Sequence, residues 1–232
     1  MALSDNLLMY IAENKSNHSH KSPWYIEMKD FVKQHFKINS YKEIQNLSLG
    51  SVGDILVRKV EFGTITTEHL FGLDELIIFS WYQFNSSNYE RCLDLGANIG
   101  IHSVIMDKLG FRVTAYEPDP IHIKLFSQTL QDNNCSNVQL REKAIGIEEG
   151  YFEFTRVLGN TTGSHLSGSK PEPYGELDFI QVKVDSIRLI LNEGFDFIKM
   201  DVEGYEARLI EALTPENFGR LEIMLEVGSA NN

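Results

Sequence analysis

The stretch Cys92-Leu-Asp-Leu-Gly-Ala-Asn-Ile-Gly100 decides the fold. A short apolar run leads into two glycines and then into a helical pattern, so the stretch predicts a strand that turns directly into a helix. Such a turn lets the backbone approach a ligand and directs the N-terminus of the helix toward it. Gly96 and Gly100 are therefore the first candidates for a ligand-binding loop.

Short apolar runs alternate with helical segments after Tyr89, which predicts βαβ units around a parallel sheet. The predicted strands are Arg91–Leu95, Phe111–Glu117, Val138–Ala144, Phe195–Val202 and Leu221–Val227. The predicted helices are Ile99–Leu109, Asp119–Asn133, Ser186–Asn192 and Tyr205–Leu213. Alternating apolar residues in Tyr151–Arg156 and Phe179–Val184 predict an inserted β-hairpin. The expected fold class is α/β, a Rossmann-like doubly wound sheet with a helical N-terminal arm.

That arm is expected over residues 1–88, as helices plus short strands, followed by a binding domain over 89–232. Apolar residues at helical spacing predict a first helix at the start of the arm. Ser22-Pro23 predicts the start of a second helix, and Asp74–Tyr82 predicts a third. The apolar residues of the first helix are Leu3, Leu7, Leu8 and Ile11. Because the chain ends soon after the last predicted strand, we expect either a truncated protein or an abbreviated fold. The arm's aromatic residues are expected to form a lid, a dimer seam or part of the core, namely Trp24, Tyr25, Phe31 and Phe36.

Composition narrows the classes of function. The 232 residues carry a formal net charge of −12, which disfavours a nucleic-acid partner because such binding depends on basic side chains. Two cysteines are too few for a disulfide framework, so a cytoplasmic location is expected. No apolar run approaches the roughly 20 residues of a membrane span, and no signal peptide is evident.

Glu117 ends the second predicted strand, where an acidic side chain can accept hydrogen bonds from the hydroxyls of a ribose. A nicotinamide-binding loop would carry a glycine at position 98, and Asn98 stands there instead, which weakens that interpretation. The structural alternative for the glycines is a tight turn. For Glu117 it is a charge at the start of a helix.

Four segments together resemble the FkbM-type family of class I S-adenosylmethionine (SAM) dependent methyltransferases. They are Leu93–Gly100, Tyr116–Asp119, Lys143–Gly146 and Phe197–Glu206, the last reading Phe-Ile-Lys-Met-Asp-Val-Glu-Gly-Tyr-Glu. The resemblance covers about Tyr89–Val227. It implies SAM as cofactor and methyl transfer as activity.

The resemblance also implies roles for individual residues. The methionine part of SAM would be wrapped by Gly96, Ala97, Asn98 and Gly100, in a loop that Asp94 orders. Glu117 would hold the ribose. The adenine would be bordered by Pro118 and Asp119, with Ala144 at the end of the third strand as part of the other wall.

Asp201 and Glu203 are expected on one side of their strand, facing an acceptor at its carboxyl end. Either could remove a proton from an acceptor hydroxyl, and His102 and His165 are further candidates for the base. The structural alternative for the two carboxylates is capping of the next helix. With Glu226 they offer hard oxygen ligands of the kind that Mg²⁺ or Ca²⁺ prefers, although no diagnostic ligand spacing is present. Lys199 is expected as their charge partner.

The sequence thus predicts a SAM-dependent methyltransferase, and the family resemblance implies that it acts on a hydroxyl of a sugar, glycan or secondary metabolite. The alternatives are a non-catalytic module that binds SAM or a nucleotide, and a nicotinamide-dependent oxidoreductase. A small-molecule or glycan acceptor is the expected partner, and a homodimer is compatible with the pattern.

Overall fold

The computed structural model describes residues 6–36, 42–170, 172–173 and 175–226. Its strands are β1 Ile44–Ser48, β2 Asp54–Arg58, β3 Arg91–Leu95, β4 Arg112–Tyr116, β5 Val138–Arg141, β6 Ala144–Gly146, β7 Gly150–Val157, β8 His165–Leu166, β9 Leu177–Ser186, β10 Phe197–Met200 and β11 Glu222–Leu225. Its α-helices are α1 Leu7–Glu13, α2 Pro23–His35, α3 Leu73–Phe84, α4 Ile101–Lys108, α5 Pro120–Asp132, α6 Ile187–Ile190, α7 Glu206–Glu211 and α8 Pro215–Phe218.

The central sheet has five parallel strands in the order β11-β10-β3-β4-β5. Both of its faces are covered: Cys92 and Phe197 belong to one apolar cluster, whereas Leu93 and Ile198 belong to another. Strand alternation sends neighbouring side chains to opposite faces, so each face packs against its own helices. The predicted Rossmann-like doubly wound fold is confirmed.

The third strand differs from its prediction. Strand β5 ends at Arg141, and the N–H of Lys143 donates to the Arg141 carbonyl oxygen at 2.8 Å, which turns the chain. Ala144 therefore does not end β5 but begins β6, which pairs with β9 in a second sheet. Two polar residues at the turn, Glu142 and Lys143, mark this break in the sequence.

The predicted inserted hairpin is confirmed, because β7 pairs antiparallel with β9 along its whole length. It belongs to a four-stranded sheet in the order β6-β9-β7-β8. Arg156 of β7 ties this sheet to α5: its Nε donates to Asp119 Oδ2 at 2.7 Å. The Asp119 carboxylate is fully buried and also caps α5, accepting from Ile121 N at 2.8 Å.

The N-terminal arm contains α1, α2, the β1–β2 hairpin and α3, and helix α2 starts as predicted, with Ser22 Oγ accepting from Tyr25 N at 2.9 Å. Tyr25 and Phe36 are buried, and Trp24 and Phe31 are packed against the same cluster, which also contains Cys92 and Phe197 of the central sheet. Of the three roles considered, these aromatics serve to close the core.

Some predictions concern residues outside the described ranges. These are the helical position of Leu3, the end of the last strand at Val227, and the chain end at 228–232. Within the described ranges, every helix is too short or too polar to cross a bilayer.

Candidate active site

A cavity of about 450 Å³ lies at the carboxyl ends of the parallel strands, where open α/β sheets bind ligands. Eight of the predicted site residues line it: Gly96, Asn98, His102, Glu117, Pro118, Ala144, Asp201 and Glu203. Five others lie outside its lining: Asp94, Ala97, Gly100, Asp119 and His165. The structure therefore gathers most of the predicted residues around one space.

The two glycines of the loop are required by the protein's own packing. Gly96 has φ +73°, and a Cβ built on it would lie 1.8 Å from the carbonyl oxygen of Asp201. Gly100 has φ +85°, and its Cβ would lie 2.1 Å from the ring of Phe126. This packing supports the alternative that the glycines are needed for a tight turn. It also brings the loop after β3 against the segment after β10.

Glu117 is almost completely buried beside that loop and is held by two backbone donors. Its Oε2 accepts from Asn98 N at 2.8 Å and its Oε1 from Asp119 N at 2.9 Å. Burial raises the pKa of Glu117 to about 8, against the lowering effect of those two hydrogen bonds. Asn98 adopts φ +53°, a left-handed conformation that asparagine tolerates better than most residues.

The side-chain oxygen of Asn98 bears on whether a cofactor binds here. Within the described part of the chain its Oδ1 is buried and accepts no hydrogen bond, a state that usually costs about 1–3 kcal/mol. The free amide oxygen and the Glu117 carboxylate line the same cavity. An acceptor pair of this kind suits a ligand with hydroxyl and amino donors, and SAM carries both.

Lys199 stands between the glycine loop and the acidic segment after β10. Its Nζ donates to Gly96 O at 3.1 Å and lies 3.6 Å from Asp94 Oδ1 and 3.4 Å from Asp201 Oδ2. Burial lowers the pKa of Lys199, but Asp201 and Asp94 outweigh burial, so the pKa is raised overall. Asp94 also accepts from Ser103 Oγ at 2.6 Å. The expected charge pairing of Lys199 with Asp201 is present.

Asp201, Glu203 and Glu226 each place one carboxylate oxygen within 4.8 Å of the others. Repulsion from Asp201 and burial raise the pKa of Glu226 to about 7. Burial raises the pKa of Asp201, but Lys199 opposes it and the pKa ends below its ordinary value. The convergence expected from the sequence is present. Clustered acidic groups are common without a metal, so a metal here stays a prediction.

The way in which Asp201 and Glu203 meet differs from the prediction. Strand β10 ends at Met200, so strand alternation does not extend to them. The chain turns instead, with Glu203 at φ +55°, and Glu206 accepts hydrogen bonds from Val202 N at 2.7 Å and Gly204 N at 2.9 Å. Lys170, from the loop after β8, contacts the Glu203 carboxylate.

The two histidines have different surroundings. His102 lines the cavity, with Nδ1 2.9 Å from the Tyr82 hydroxyl and Nε2 3.0 Å from Glu75 Oε2. His165 is 2 % exposed, and its Nδ1 lies 3.0 Å from Gly163 O. Burial lowers the pKa of His165. Only His102 is brought together with the other candidate bases.

The arm contributes a wall of the cavity that the sequence analysis missed, consisting of Ile65, His69, Leu70, Asp74, Glu75 and Ile78. Helix α3 itself was predicted. Its orientation was not, because acidic residues in a first turn are equally typical of any helix N-terminus. A signal was present in Asp74 and Glu75, two acids directly before the most apolar run of the arm.

Comparison with known proteins gives a family. The model of the methyltransferase FkbM domain matches residues 94–230, more than half of the chain. No curated protein matches significantly.

Several solved structures are similar in part. A SAM-dependent methyltransferase from Agrobacterium tumefaciens is 13 % identical over 83 % of this chain and 55 % of its own, with a TM-score of 0.46. A tRNA (uracil-54, C5)-methyltransferase from Pyrococcus abyssi, in complex with S-adenosyl-L-homocysteine, is 16 % identical over 79 % and 35 %, with a TM-score of 0.42. The chain thus spans little more than half of the first protein and about a third of the second.

Proposed function

The chain belongs to the FkbM methyltransferase family, and we propose that it binds SAM and transfers its methyl group to a hydroxyl oxygen of a sugar, glycan or secondary metabolite. The observation that carries the cofactor assignment is the buried pair formed by Glu117 and Asn98 at the cavity wall. Family membership supports methyl transfer as the reaction.

The cofactor would be held at the loop after β3. Glu117 would accept hydrogen bonds from the ribose hydroxyls, because each of its oxygens has lone-pair capacity beyond the single backbone donor that it already receives. Asn98 Oδ1 would receive a donor that the protein does not provide. When bound, SAM supplies a methyl group on a positively charged sulfur.

Charge around the cavity favours such a cation. Among the described residues six carboxyl groups line it, Asp74, Glu75, Glu117, Asp201, Glu203 and Glu226, against the two lysines Lys143 and Lys199. Because the pKa is raised to about 8 for Glu117 and to about 7 for Glu226, the negative charge comes mainly from the other four. Both lysines are already paired, Lys143 with Asp185 at 2.9 Å and Lys199 with Asp201. A surplus of negative charge stabilises a sulfonium and disfavours phosphorylated acceptors.

The acceptor would occupy the side of the cavity formed by the segment after β10. A hydroxyl is a poor nucleophile until its proton is removed, so the protein must align it with the methyl group and provide a base. Asp201 and Glu203 remain proposals for that role, together with His102. His165 lies outside the cavity lining, so no contact supports it as the base.

Calorimetric titration with SAM, S-adenosylhomocysteine and NADH tests the cofactor assignment. We expect micromolar binding of the two sulfur compounds and no binding of NADH. Absence of SAM binding by folded protein would refute the proposal. Binding without transfer of labelled methyl to a broad panel of hydroxyl acceptors would favour the alternative of a non-catalytic SAM-binding module.

A further inference from the structure

Three polar side chains, two from the arm and one from the family domain, form a continuous chain of contacts that ends at the cavity. Tyr82 and Glu75 lie seven residues apart on α3, so both face α4, where His102 occupies the first turn. The Tyr82 hydroxyl is 2.9 Å from His102 Nδ1, and His102 Nε2 is 3.0 Å from Glu75 Oε2. Tyr82 and Glu75 precede the residues that the family model matches.

The proton positions along this chain follow from burial. Tyr82 is completely buried, and burial raises its pKa well above the ordinary value, so its hydroxyl stays protonated. Among the described residues its one hydrogen-bond partner is His102, so Nδ1 must accept for the phenol proton to be satisfied. The imidazole then carries its proton on Nε2, and this N–H donates a hydrogen bond to Glu75.

Glu75 is thereby held by one oxygen while it faces the cavity. Its side chain is 31 % exposed and that of His102 is 15 % exposed, and both line the cavity. Across the described part of the chain, Oε1 of Glu75 makes no hydrogen bond with another side chain or backbone group. Packing also fixes the imidazole, since the Phe79 ring meets it edge-on with a centroid distance of 5.0 Å.

The other candidate bases that line the cavity are engaged with cations or have both ring nitrogens in use. Asp201 lies against Lys199, and Glu203 contacts Lys170. Both ring nitrogens of His102 are used within the protein. Glu75 instead contacts the imidazole of His102 through Oε2 alone and lines the cavity.

We propose that Glu75 is the base that accepts the proton of the acceptor hydroxyl, and that His102 and Tyr82 are positioning residues that hold it. This inference rests on the proposed function. As the acceptor oxygen forms its bond to the methyl carbon, the carbon–sulfur bond breaks and its electron pair stays on sulfur. The hydroxyl proton passes to the Glu75 carboxylate, which later releases it to water.

Nuclear magnetic resonance of protein labelled with ¹⁵N in its histidines tests the arrangement without any acceptor. We expect His102 to carry its proton on Nε2, and Tyr82→Phe to shift the Nδ1 resonance, because Nδ1 loses its hydrogen-bond donor while Glu75 still accepts from Nε2. Glu27→Gln, an exposed substitution on α2 of the same arm, should leave the spectrum of His102 unchanged. An Nδ1-protonated or doubly protonated His102 in the unaltered protein would overturn the proposal.

Turnover tests the role of the base. The probe is labelled SAM with a mixture of neutral sugars and polyols, and the readout is S-adenosylhomocysteine released. Glu75→Gln keeps an oxygen for His102, so SAM affinity should stay within twofold while kcat falls about 100-fold, the usual contribution of a general base. Glu75→Asp should recover part of the rate. A Glu75→Gln enzyme that turns over within twofold of the unaltered protein would overturn the proposal.

The two failures are distinguishable. Loss of the proposed function would appear as absent SAM binding in the unaltered protein, whatever the state of His102. Failure of the present inference would appear as the wrong tautomer, or as undiminished turnover by Glu75→Gln, in a protein that binds SAM.

Discussion

The carboxylates on the two sides of the cavity are stabilised in different ways. Glu117, beside the glycine loop, receives two backbone N–H donors and is separate from the acidic cluster after β10 and β11. Asp201, Glu203 and Glu226, after β10 and β11, crowd one another, and Asp201 and Glu203 are paired with lysine side chains. The first side is held by backbone hydrogen bonds, whereas the second retains repulsion that a proton or a cationic ligand would relieve.

Removing the lysine that joins the two sides should have the largest effect. Lys199→Met leaves the buried Asp94 without its cation and deprives Asp201 of its partner, so we expect a loss of about 3–5 kcal/mol in the free energy of unfolding. Lys170→Met is the matched control: its pair with Glu203 is partly exposed and should contribute only about 0–1 kcal/mol. Denaturant unfolding of both variants measures the difference. Equal losses would mean that burial of Lys199 does not increase the contribution of its ion pairs to the free energy of unfolding.

The backbone contact between the two sides is the next target. Gly96→Ala places a methyl group against the Asp201 carbonyl in a left-handed conformation, and we expect a loss of about 3 kcal/mol or more. Gly110→Ala, just after helix α4, has a similar φ, +92°, but nothing within 4 Å of its Cβ, so it should lose only about 1–2 kcal/mol. Thermal unfolding compares the two, and a Gly96→Ala loss no larger than the control would show that the segments can move apart.

On the first side, Glu117→Ala leaves the N–H groups of Asn98 and Asp119 without an acceptor. We expect about 1–3 kcal/mol of destabilisation and at least tenfold weaker SAM binding, since the ribose would lose its partner as well. Calorimetric titration gives the affinity, with the exposed neighbour Glu142→Ala as control. An unchanged affinity for SAM would refute the ribose assignment while leaving the structural role of Glu117 intact.

On the second side, repulsion predicts a modest dependence of stability on pH. The pKa of Glu226 rises from 4.5 to about 7 in the folded protein, so the folded state binds more protons than the unfolded state between those values. The contribution of Glu226 to stability is therefore full below about pH 4.5 and is lost as the pH rises through about 7. Thermal midpoints of the unaltered protein should fall relative to those of Glu226→Gln across this range, and a constant difference would contradict the crowding.

The first side was readable from the sequence because its signals are local. The glycine spacing, Glu117 and the capping Asp119 lie on consecutive elements whose order in a βαβ unit is nearly invariant. The acidic side was readable only in part: its convergence follows from parallel strand ends, but the turn at Glu203 departs from strand geometry. Ala144 was assigned to the wrong sheet because the two-residue break after Arg141 carries no glycine or proline.

The wall formed by α3 was the part that sequence reasoning could not reach. Which face of a helix meets a distant cavity is decided by tertiary packing, and Glu75 approaches His102 only because the arm shares an apolar core with the central sheet. The position of Glu75 in the sequence gives no indication that it contacts His102. The proposed division at residue 88 describes the order of the elements along the chain, and the shared core crosses it.

The strand order also has a consequence for how the protein is made. Strand β3, the centre of the sheet, pairs on one side with β10, so that Cys92 lies opposite Phe197. During synthesis β3 emerges long before this partner, and such non-local pairings form slowly. Asp201 and Glu226 join the cavity only after that pairing. A nascent chain thus completes the acidic side of the cavity only after most of the sheet has been synthesised.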